Sequence, residues 1–512
     1  MAIAGEITLG ERLRFRPAIW LALLTAALHV WANGEYGYFR DELYFIVCGQ
    51  HPDWGYVDQP PLVPLLASLM HALFPDSLTM FRLIPALAHA GTVALTAETA
   101  RKLGGGNWAQ LLAGVVAFLC PLLLVFGTML ATDSLQPIAW LFCAYALIRI
   151  IRDNDERWWL PMGLVIGLAF MAKYTIAVWA VALVLGLLLT SARGRLARPS
   201  PWVAGVAATL IVLPNLVWQW VHGWPFLEFA ASAFETKNVV YTPWTFVLIQ
   251  IRDLNPLTAP IWLAGLAAFA FWRRFADLRA IAVAYVLLLV AMMALHARSY
   301  YLNGAYPVLF AGGAVALEAW LTSPRLRAAL LAGVVLLSLP LVPFVVPILP
   351  IERVAAYQSF LGLTPEANEK GLAIGRLSQL YADMFGWREL AALVGRAYQS
   401  LSPEERADAV FFANNFGEAA AVDIFAKPWG LPPSISAHNN YYLWGPRGHS
   451  GDVVIQLGGR REDLLKVYAS VEPMGKTDNP WAAPRETGQT IWICRGRFTK
   501  LDDEWPKLKR YY

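Results

Sequence analysis

The sequence predicts a mainly α-helical, polytopic membrane protein with a small α/β domain at its C-terminal end. Hydrophobic residues make up 57% of the 512 positions and charged residues only 15%, whereas about 25% of residues are charged in soluble proteins. Apolar windows of membrane-spanning length recur down to about residue 350, and charged residues return after that point. The chain is therefore expected to divide into a membrane domain, residues 1–350, and a soluble domain, residues 351–512.

Windows of about 17–25 apolar residues identify the candidate transmembrane spans. Eleven are found, and several are short. They cover roughly residues 17–33, 81–100, 107–126, 134–151, 158–172, 174–191, 202–221, 257–272, 280–296, 303–321 and 327–350.

The connections between these spans alternate in charge. One set carries most of the cations: Arg12, Arg14, Arg16, Arg101, Lys102, Arg149, Arg152, Arg157, Arg193, Arg195, Arg198, Arg273, Arg274, Arg279, Arg325 and Arg327. By the positive-inside rule this set is cytoplasmic, so the N-terminus lies inside and, with an odd number of spans, the C-terminal domain lies outside. The net charge of +4 is spread over these loops, so no nucleic-acid partner is expected.

The C-terminal domain reads as alternating short strands and helices. "ADAVFFANN", "GDVVIQLGG" and "TIWICRGR" have the composition of buried strands, and "FGEAAAVDIFAKPW" and "REDLLKVYASV" are typical of helices. A phosphate-binding glycine loop, a metal-spaced Cys/His set and a nucleophile elbow are all missing from this part of the sequence. We therefore expect a scaffold or a lid that faces the acceptor.

The loop between the first two spans, residues 34–80, holds the most informative acids. "GYFRDELYFI" places Asp41 and Glu42 side by side, although a carboxylate at mid-bilayer costs roughly 2.5–3.5 kcal/mol or more. Adjacent residues do not share a helix face, so one acid should point into a cavity and the other toward Arg40 or a backbone amide. A solvated loop with incidental acids is the alternative, but the aromatic and proline-rich "HPDWGYVDQPPLVP" indicates an ordered loop.

Asp58 and Asp133 are two further carboxylates at span ends, and each also has a purely structural interpretation. The two prolines that follow Asp58 in "DQPP" fix an extended backbone and hold the acid at the membrane surface. A turn-capping role is the alternative. Asp133 lies in "GTMLATDSLQP" between spans three and four, where either it or Thr132 could be the N-cap of the fourth span.

Cations accompany these acids on the same predicted side of the membrane. Lys173, in "FMAKYT", sits at the tip of a tight pair of spans, and snorkelling to lipid headgroups is the alternative explanation for it. "HARSYYLNGAYP" places Arg298 and Tyr301 at the outer end of the ninth span. An interfacial aromatic belt would explain the tyrosines but would not require the arginine.

Carboxylates and cations thus converge on one membrane face from five segments that are far apart in the sequence. This pattern indicates an anionic ligand together with an acid–base step. A transporter would more often place its polar residues near the midplane on broken, repeated helices.

The order of these motifs resembles bacterial glycosyltransferase family 39, which is related to protein O-mannosyltransferases and to the lipid A aminoarabinose transferase. The resemblance is carried by "RDELYF", "WGYVDQPPL", "TD" before a span, "AKYT" and "RSYYL" followed by "YP", and it covers roughly residues 17–322. It implies the membrane fold called GT-C and a location in the bacterial inner membrane. It also implies transfer of a sugar from a polyprenyl phosphate to an envelope acceptor on the periplasmic side.

The resemblance also implies roles for individual residues. Asp41 matches the catalytic acid of the first loop, with Glu42 as its partner, and Asp133 matches a second acid beside the active site. Lys173 and Arg298 fall where family members place cations near the lipid phosphate.

One position departs from the family. In the aminoarabinose transferase branch the first loop reads acidic residue, Lys, Pro, whereas here it reads Asp58, Gln59, Pro60. A neutral amide replaces a cation that approaches phosphate, which weakens the case for that branch's acceptor and leaves leaving-group stabilisation to the other cations. A divalent metal is left open, because a second ligand beside Asp58 cannot be assigned from the sequence.

The chemistry implied is one displacement at the sugar with inversion. A polyprenyl phosphate is a weakly basic leaving group, so its departure needs cations more than a general acid. A hydroxyl acceptor must give its proton to one carboxylate, Asp41, within about 2.6–3.2 Å. A lipid-linked sugar transporter or flippase and a non-catalytic component of polysaccharide assembly are the competing functions, and the sequence does not distinguish a glycan, a lipid or a protein as acceptor.

Overall fold

A computed structural model describes residues 17–363, 365 and 373–512 of the chain. The predicted cytoplasmic N-terminus, with Arg12, Arg14 and Arg16, lies outside the described residues. Up to residue 338 the α-helices are α1 (Pro17–Ala32), α2 (Arg40–Gln50), α3 (Leu62–Leu73), α4 (Leu78–Phe81), α5 (Leu83–Lys102), α6 (Asn107–Leu119), α7 (Pro121–Thr128), α8 (Gln136–Arg152), α9 (Trp159–Phe170), α10 (Thr175–Leu188), α11 (Pro199–Val221), α12 (Pro225–Thr236), α13 (Pro243–Asp253), α14 (Ala259–Phe271), α15 (Arg279–Ala294), α16 (Tyr306–Trp320) and α17 (Pro324–Ser338).

Each of the eleven apolar windows of the sequence contains helix, although the last window, 327–350, is helical only as far as residue 344. The third is interrupted where Pro121 cannot donate a backbone hydrogen bond, and α6 and α7 meet there at an angle of 59°. By length and composition, three helical segments of the described chain can cross a membrane, at residues 199–221, 273–294 and 324–344, or up to six if each bent pair is one span. A mainly helical membrane protein is thus confirmed, whereas the number of eleven spans stays a prediction.

The two ends of the helical bundle differ in charge. Helix α5 begins directly after the buried Arg82 and ends at the cationic pair Arg101 and Lys102. Its 20 residues place these two ends about 30 Å apart. At this far end Lys102 pairs with Asp153 at 2.5 Å, and other loops predicted to be cytoplasmic meet there in further ion pairs. The basic loops therefore share one end of the bundle, away from the acids of the first loop.

The first loop is folded, as its composition predicted. It contains α2 and α3, and the turn between them is closed by a hydrogen bond from the Tyr56 N–H to the Gln59 carbonyl at 3.0 Å. All residues of α2 from Glu42 to Gly49 are buried, so this helix is surrounded by protein on every side. This rigid loop carries three of the predicted site acids.

The C-terminal part contains a five-stranded mixed sheet of order β2-β1-β3-β5-β4. The strands are β1 (Val410–Ala413), β2 (Ile435–Ser436), β3 (Val453–Leu457), β4 (Tyr468–Lys476) and β5 (Thr490–Arg497). Strand β1 is parallel to β2 and β3, whereas β5 is antiparallel to β3 and β4. The helices are α18 (Ile351–Phe360), α19 (Gln379–Ala382), α20 (Trp387–Gln399), α21 (Pro403–Arg406), α22 (Phe416–Phe425), α23 (Asn440–Trp444), α24 (Arg461–Leu464) and α25 (Leu501–Leu508).

The three predicted strands and the helix in "FGEAAAVDIFAKPW" are confirmed. The helix predicted in "REDLLKVYASV" is wrong beyond its first turn, because the chain leaves α24 and enters β4, which pairs with β5 along most of its length. A pairing with a distant strand outweighs local helix propensity here. The boundary between the two domains at residue 350 stays a prediction.

The sheet domain packs directly on the first loop. The Tyr44 ring of α2 stacks on Phe416 of α22 with centroids 4.4 Å apart, and a Cβ built on Gly37 would lie 2.2 Å from the Met384 carbonyl oxygen. All four cysteines are free and buried, including Cys48 and Cys494. The C-terminal domain and the first loop therefore share one packed interface, with no disulfide across it.

Candidate active site

Asp41 and Glu42 occupy the first turn of α2, where the helix dipole favours negative charge. As expected for adjacent residues, they point in different directions. Asp41 keeps 33% of its side chain exposed and accepts a hydrogen bond from Arg40 Nε at 3.1 Å. Glu42 is fully buried, and its Oε2 accepts the Phe39 N–H at 2.8 Å.

Glu42 forms a buried ion pair with Arg82, a residue that the sequence analysis did not single out. Arg82 donates from Nη2 to Oε2 at 2.7 Å and from Nε to Oε1 at 2.9 Å. The Leu130 N–H also donates to Oε1 at 2.9 Å, so the carboxylate is saturated and sealed from solvent. We therefore propose that Glu42 positions the start of α2, and with it Asp41, and does not touch a substrate.

Asp58 uses both carboxylate oxygens in contacts with distant residues. Tyr44 donates its hydroxyl to Oδ1 at 3.0 Å, and Asn439 of the C-terminal domain donates from Nδ2 to Oδ2 at 3.0 Å. Burial raises the pKa of Asp58 to about 6, and the charge of Asp41 acts in the same direction. A simple turn-capping role does not account for these contacts.

Asp133 and Lys173 form an ion pair in which Nζ lies 2.5 Å from Oδ2. The side chains are only 7% and 14% exposed, respectively. Asp133 is not the N-cap of the fourth span, since α8 begins at Gln136 and Leu135 occupies the cap position. Lys173 likewise turns toward a carboxylate and not toward lipid headgroups, so neither structural alternative is realised.

Two tyrosines complete the surroundings of the Lys173 ammonium group. It lies 4.2 Å from the ring centroid of Tyr301 and 5.4 Å from that of Tyr300, within range of cation–π attraction. Burial holds the pKa of the Tyr300 hydroxyl above its usual value, and the charges of Arg298 and Lys173 offset only part of that increase. Arg298 itself donates from Nε to Asn238 Oδ1 at 3.4 Å. The tyrosines therefore face the cations of the site, which an interfacial belt would not require.

Direct contacts connect all five segments that the sequence placed on one membrane face. Glu42 links the start of α2 to the turn that carries Asp133, through the Leu130 N–H. The Leu62 N–H donates to the Met171 carbonyl at 2.8 Å, which joins the first loop to the tip that carries Lys173. The tyrosines after Arg298 then cover that lysine.

The C-terminal domain closes one side of this cluster. Arg40 forms an ion pair with Asp383 at 3.7 Å, and its guanidinium lies 5.2 Å from the centre of the Phe416 ring. The arginine next to Asp41 is thus held by the sheet domain. This contact is consistent with the expected role of the domain as a lid or scaffold.

The described residues offer little support for a metal centre. They contain no group of three or more His, Cys, Asp or Glu side chains arranged to hold a metal ion. Both oxygens of Asp58 accept hydrogen bonds from protein donors. Gln59, at the position where the aminoarabinose transferase branch has a lysine, is buried and turns its amide toward the Cys48 sulfur at 3.9 Å. No catalytic step is therefore assigned to a metal.

Arg82, Tyr44 and Asn439 are the site residues that sequence reasoning missed. Arg82 left one detectable signal, since an arginine near the start of an apolar window needs a partner. Tyr44 lies among other aromatics of the first loop and does not stand out. Asn439 belongs to another domain, 381 residues from Asp58, and no local pattern relates the two.

The fold and the site together define a class. In its matched sequence and in its fold, the chain is similar to glycosyltransferase family 39 proteins of the GT-C class. The family profile described as dolichyl-phosphate-mannose-protein mannosyltransferase matches residues 58–218. That stretch includes Asp58, Asp133 and Lys173, whereas Asp41 and Arg298 lie outside it.

Individual relatives agree with this class. Lipid A galacturonosyltransferase RgtD from Rhizobium johnstonii is 28% identical over 192 residues, which cover 36% of this chain and 39% of that protein. The alignment thus spans about two fifths of the relative's length. Crystal structures of ArnT from Cupriavidus metallidurans, bound to undecaprenyl phosphate and in the apo state, superpose with TM-scores of 0.61 and 0.62. Both are 14% identical and cover 93% of this chain and 97% of theirs, which establishes the shared fold.

Proposed function

We propose that the protein transfers a sugar from a polyprenyl-phosphate donor to an acceptor of the bacterial envelope at the periplasmic face of the inner membrane. One observation carries the proposal. The segment of Asp41, a partly exposed carboxylate, is in contact with the segments of Lys173 and Asp133, which form a largely buried ion pair. Asp41 can accept a proton, and Lys173 can stabilise a phosphate. The family profile and the lipid A galacturonosyltransferase relative point to the same reaction class.

The donor is proposed from the cations and from the fold relative. Lys173 has three N–H donors, of which Asp133 accepts one, so the ammonium group can also donate to a phosphate oxygen. Arg298 supplies a second positive charge close to the same tyrosines. The ArnT structure that shares this fold contains undecaprenyl phosphate, and a polyprenyl-phosphate sugar is the corresponding donor here.

The reaction is a single displacement. The acceptor hydroxyl oxygen forms a bond to the anomeric carbon, while the bond from that carbon to the phosphate oxygen breaks. The hydroxyl proton goes to Asp41, and the negative charge of the leaving polyprenyl phosphate is stabilised by Lys173 and Arg298. Attack from the face opposite the leaving group inverts the anomeric configuration.

The acceptor is proposed only as a class. The relative named for lipid A favours a glycolipid of the envelope, and glycan and protein hydroxyls are the other acceptors to be tested. Position 59 holds a buried, neutral glutamine, where the aminoarabinose transferase branch has a lysine that approaches phosphate. Without that cation, the site does not require an acceptor that carries a phosphate. Comparison of the envelope glycolipids by mass spectrometry with and without the protein would identify the product.

The test uses purified full-length protein and a polyprenyl-phosphate sugar that carries label in the sugar. We expect release of free polyprenyl phosphate and transfer of label to an envelope extract. Asp41→Asn should abolish transfer while donor binding persists. Asp53→Asn, which changes an exposed acid of the same loop, should transfer at the wild-type rate.

Other outcomes would refute the proposal. Movement of labelled lipid across vesicles without release of polyprenyl phosphate would identify a transporter. Full tolerance of substitution at Asp41, Asp133 and Lys173 together would identify a non-catalytic assembly component. Near-normal turnover by Asp41→Asn alone would refute the assignment of the base.

A further inference from the structure

Asn439 reaches the site from the C-terminal domain with an unusual backbone. Its φ is 47° and its ψ is −128°, a combination that glycine adopts easily and other residues rarely do. The side chain is fully buried. A strained residue persists where its surroundings fix it, and such residues concentrate at functional sites.

The surroundings fix Asn439 on both sides. Its N–H donates to the Arg510 carbonyl at 2.9 Å, and its Oδ1 accepts the Tyr512 N–H at 3.3 Å. The side-chain amide is therefore oriented by the last residues of the chain. In this orientation Nδ2 points at Asp58 Oδ2, 3.0 Å away.

The next residue strengthens the same junction. Asn440 accepts the Val57 N–H at 2.9 Å through Oδ1, and its own N–H donates to the Tyr44 hydroxyl at 3.2 Å. The Tyr44 hydroxyl in turn donates to Asp58. Residues 439–440 therefore supply one donor to the Asp58 carboxylate, the Asn439 amide, and orient the other, the Tyr44 hydroxyl. Asp58 is thus oriented by a domain that is remote in sequence.

We infer that Asn439 is a positioning residue of the transferase site, which holds the Asp58 carboxylate in its charged form close to Asp41. The inference rests on the proposed function. A donor to a carboxylate favours its ionised state, against the burial and the nearby Asp41 charge that favour protonation. The C-terminal domain would then complete the site and not merely cover it.

Other titratable groups face Asp58 as well. On α2 they are Asp41, Tyr44 and Cys48, and Tyr174 approaches from the segment before α10. Burial raises the pKa of Tyr44 and Cys48 well above their usual values, so both stay neutral at physiological pH. Asp41 is therefore the neighbour whose charge competes with the effect of Asn439.

Two substitutions separate the contact from the backbone strain. Asn439→Gly removes the amide and relieves the backbone strain, but it also leaves Asp58 Oδ2 and the Tyr512 N–H without this partner. Transfer is therefore compared under conditions in which thermal unfolding shows the variant to be folded. Asn439→Asp keeps the shape and the acceptor for Tyr512 but turns a carboxylate toward Asp58. Asn479→Ala is the matched control, because that asparagine of the same domain bonds Glu389, away from Asp58.

Two readouts decide the outcome. Infrared titration of the Asp58 carboxyl band, assigned by its loss in Asp58→Asn, should show an upward pKa shift in Asn439→Gly and a larger one in Asn439→Asp. Transfer at pH 7 should fall about ten- to a hundredfold in Asn439→Gly, the range expected for a hydrogen bond to a charged group. Asn479→Ala should match the wild type in both. The inference would be overturned if Asn439→Gly left both the Asp58 titration and the transfer rate unchanged. It would also be overturned if Asn439→Gly reduced transfer by the same factor in the Asp58→Asn background as in the wild type, because its effect would then not depend on Asp58.

Failure of this inference and failure of the proposed function give different results. If the wild type releases no polyprenyl phosphate, the proposed function fails. If the wild type transfers sugar and Asn439→Gly behaves like it, only the role of Asn439 fails. Thermal unfolding of each variant, followed alongside, shows that a loss of transfer does not come from an unfolded domain.

Discussion

The adjacent acids Asp41 and Glu42 should respond in opposite ways to neutralisation. Glu42→Gln removes the charge that compensates the fully buried Arg82. It also replaces one carboxylate oxygen by an NH2 group, which cannot accept a hydrogen bond. Since each oxygen of Glu42 accepts two N–H groups, two donors would lose their acceptor. Breaking a buried ion pair by removing one partner costs about 3–5 kcal/mol, so we expect the free energy of unfolding to fall by that amount.

Asp41→Asn should leave stability almost unchanged. The Asp41 side chain is one-third exposed and pairs with the neighbouring Arg40, and partly exposed pairs contribute about 1 kcal/mol or less. This variant should instead lose sugar transfer, because it lacks the proton acceptor. The two substitutions each convert a carboxylate to an amide one residue apart, so each serves as the control for the other.

Denaturant titration in detergent micelles, followed by tryptophan fluorescence, measures the unfolding free energy of both variants. Release of polyprenyl phosphate, measured well below the midpoint of unfolding, gives the activity of the folded fraction. Folded Glu42→Gln should retain some transfer. If Asp41→Asn were as destabilising as Glu42→Gln, or if Glu42→Gln were as stable as the wild type, the assignment of a catalytic role to Asp41 and a structural role to Glu42 would be wrong.

Three further predictions concern other parts of the site. Lys173→Met should reduce transfer by about a hundredfold or more, because the ammonium group that stabilises the leaving phosphate is removed. Steady-state kinetics with labelled donor measures this effect, and an unchanged kcat/KM would refute it. The pKa of Asp58 is raised to about 6 from an unfolded value of about 3.9, so its contribution to stability is present below about pH 4 and is lost as pH rises through about 6. Asp58→Asn should therefore flatten the dependence of unfolding free energy on pH in that window, and an unaltered slope would contradict this. Gly37→Ala would place a methyl group 2.2 Å from the Met384 carbonyl oxygen and should destabilise the domain contact by about 1–3 kcal/mol, which limited proteolysis of the C-terminal domain would detect as faster cleavage.

Local patterns along the chain predicted the helical membrane class and most of the polar segments of the site. Apolar runs identify helices because burial in lipid depends on composition over about twenty residues. Asp41, Asp133 and Lys173 stood out because an ionisable group beside hydrocarbon needs a partner. The order of the motifs indicated the resemblance to the family, and the fold shared with ArnT extends over 93% of the chain.

What tertiary structure alone decided is which of these groups pair. The sequence alone does not show that Arg82 neutralises Glu42, or that Asn439 holds Asp58 across 381 residues. Similarly, residues 468–476 form a strand because β5 pairs with them. In each case the energy comes from a partner brought close by folding, and the local sequence carries no record of that partner's position.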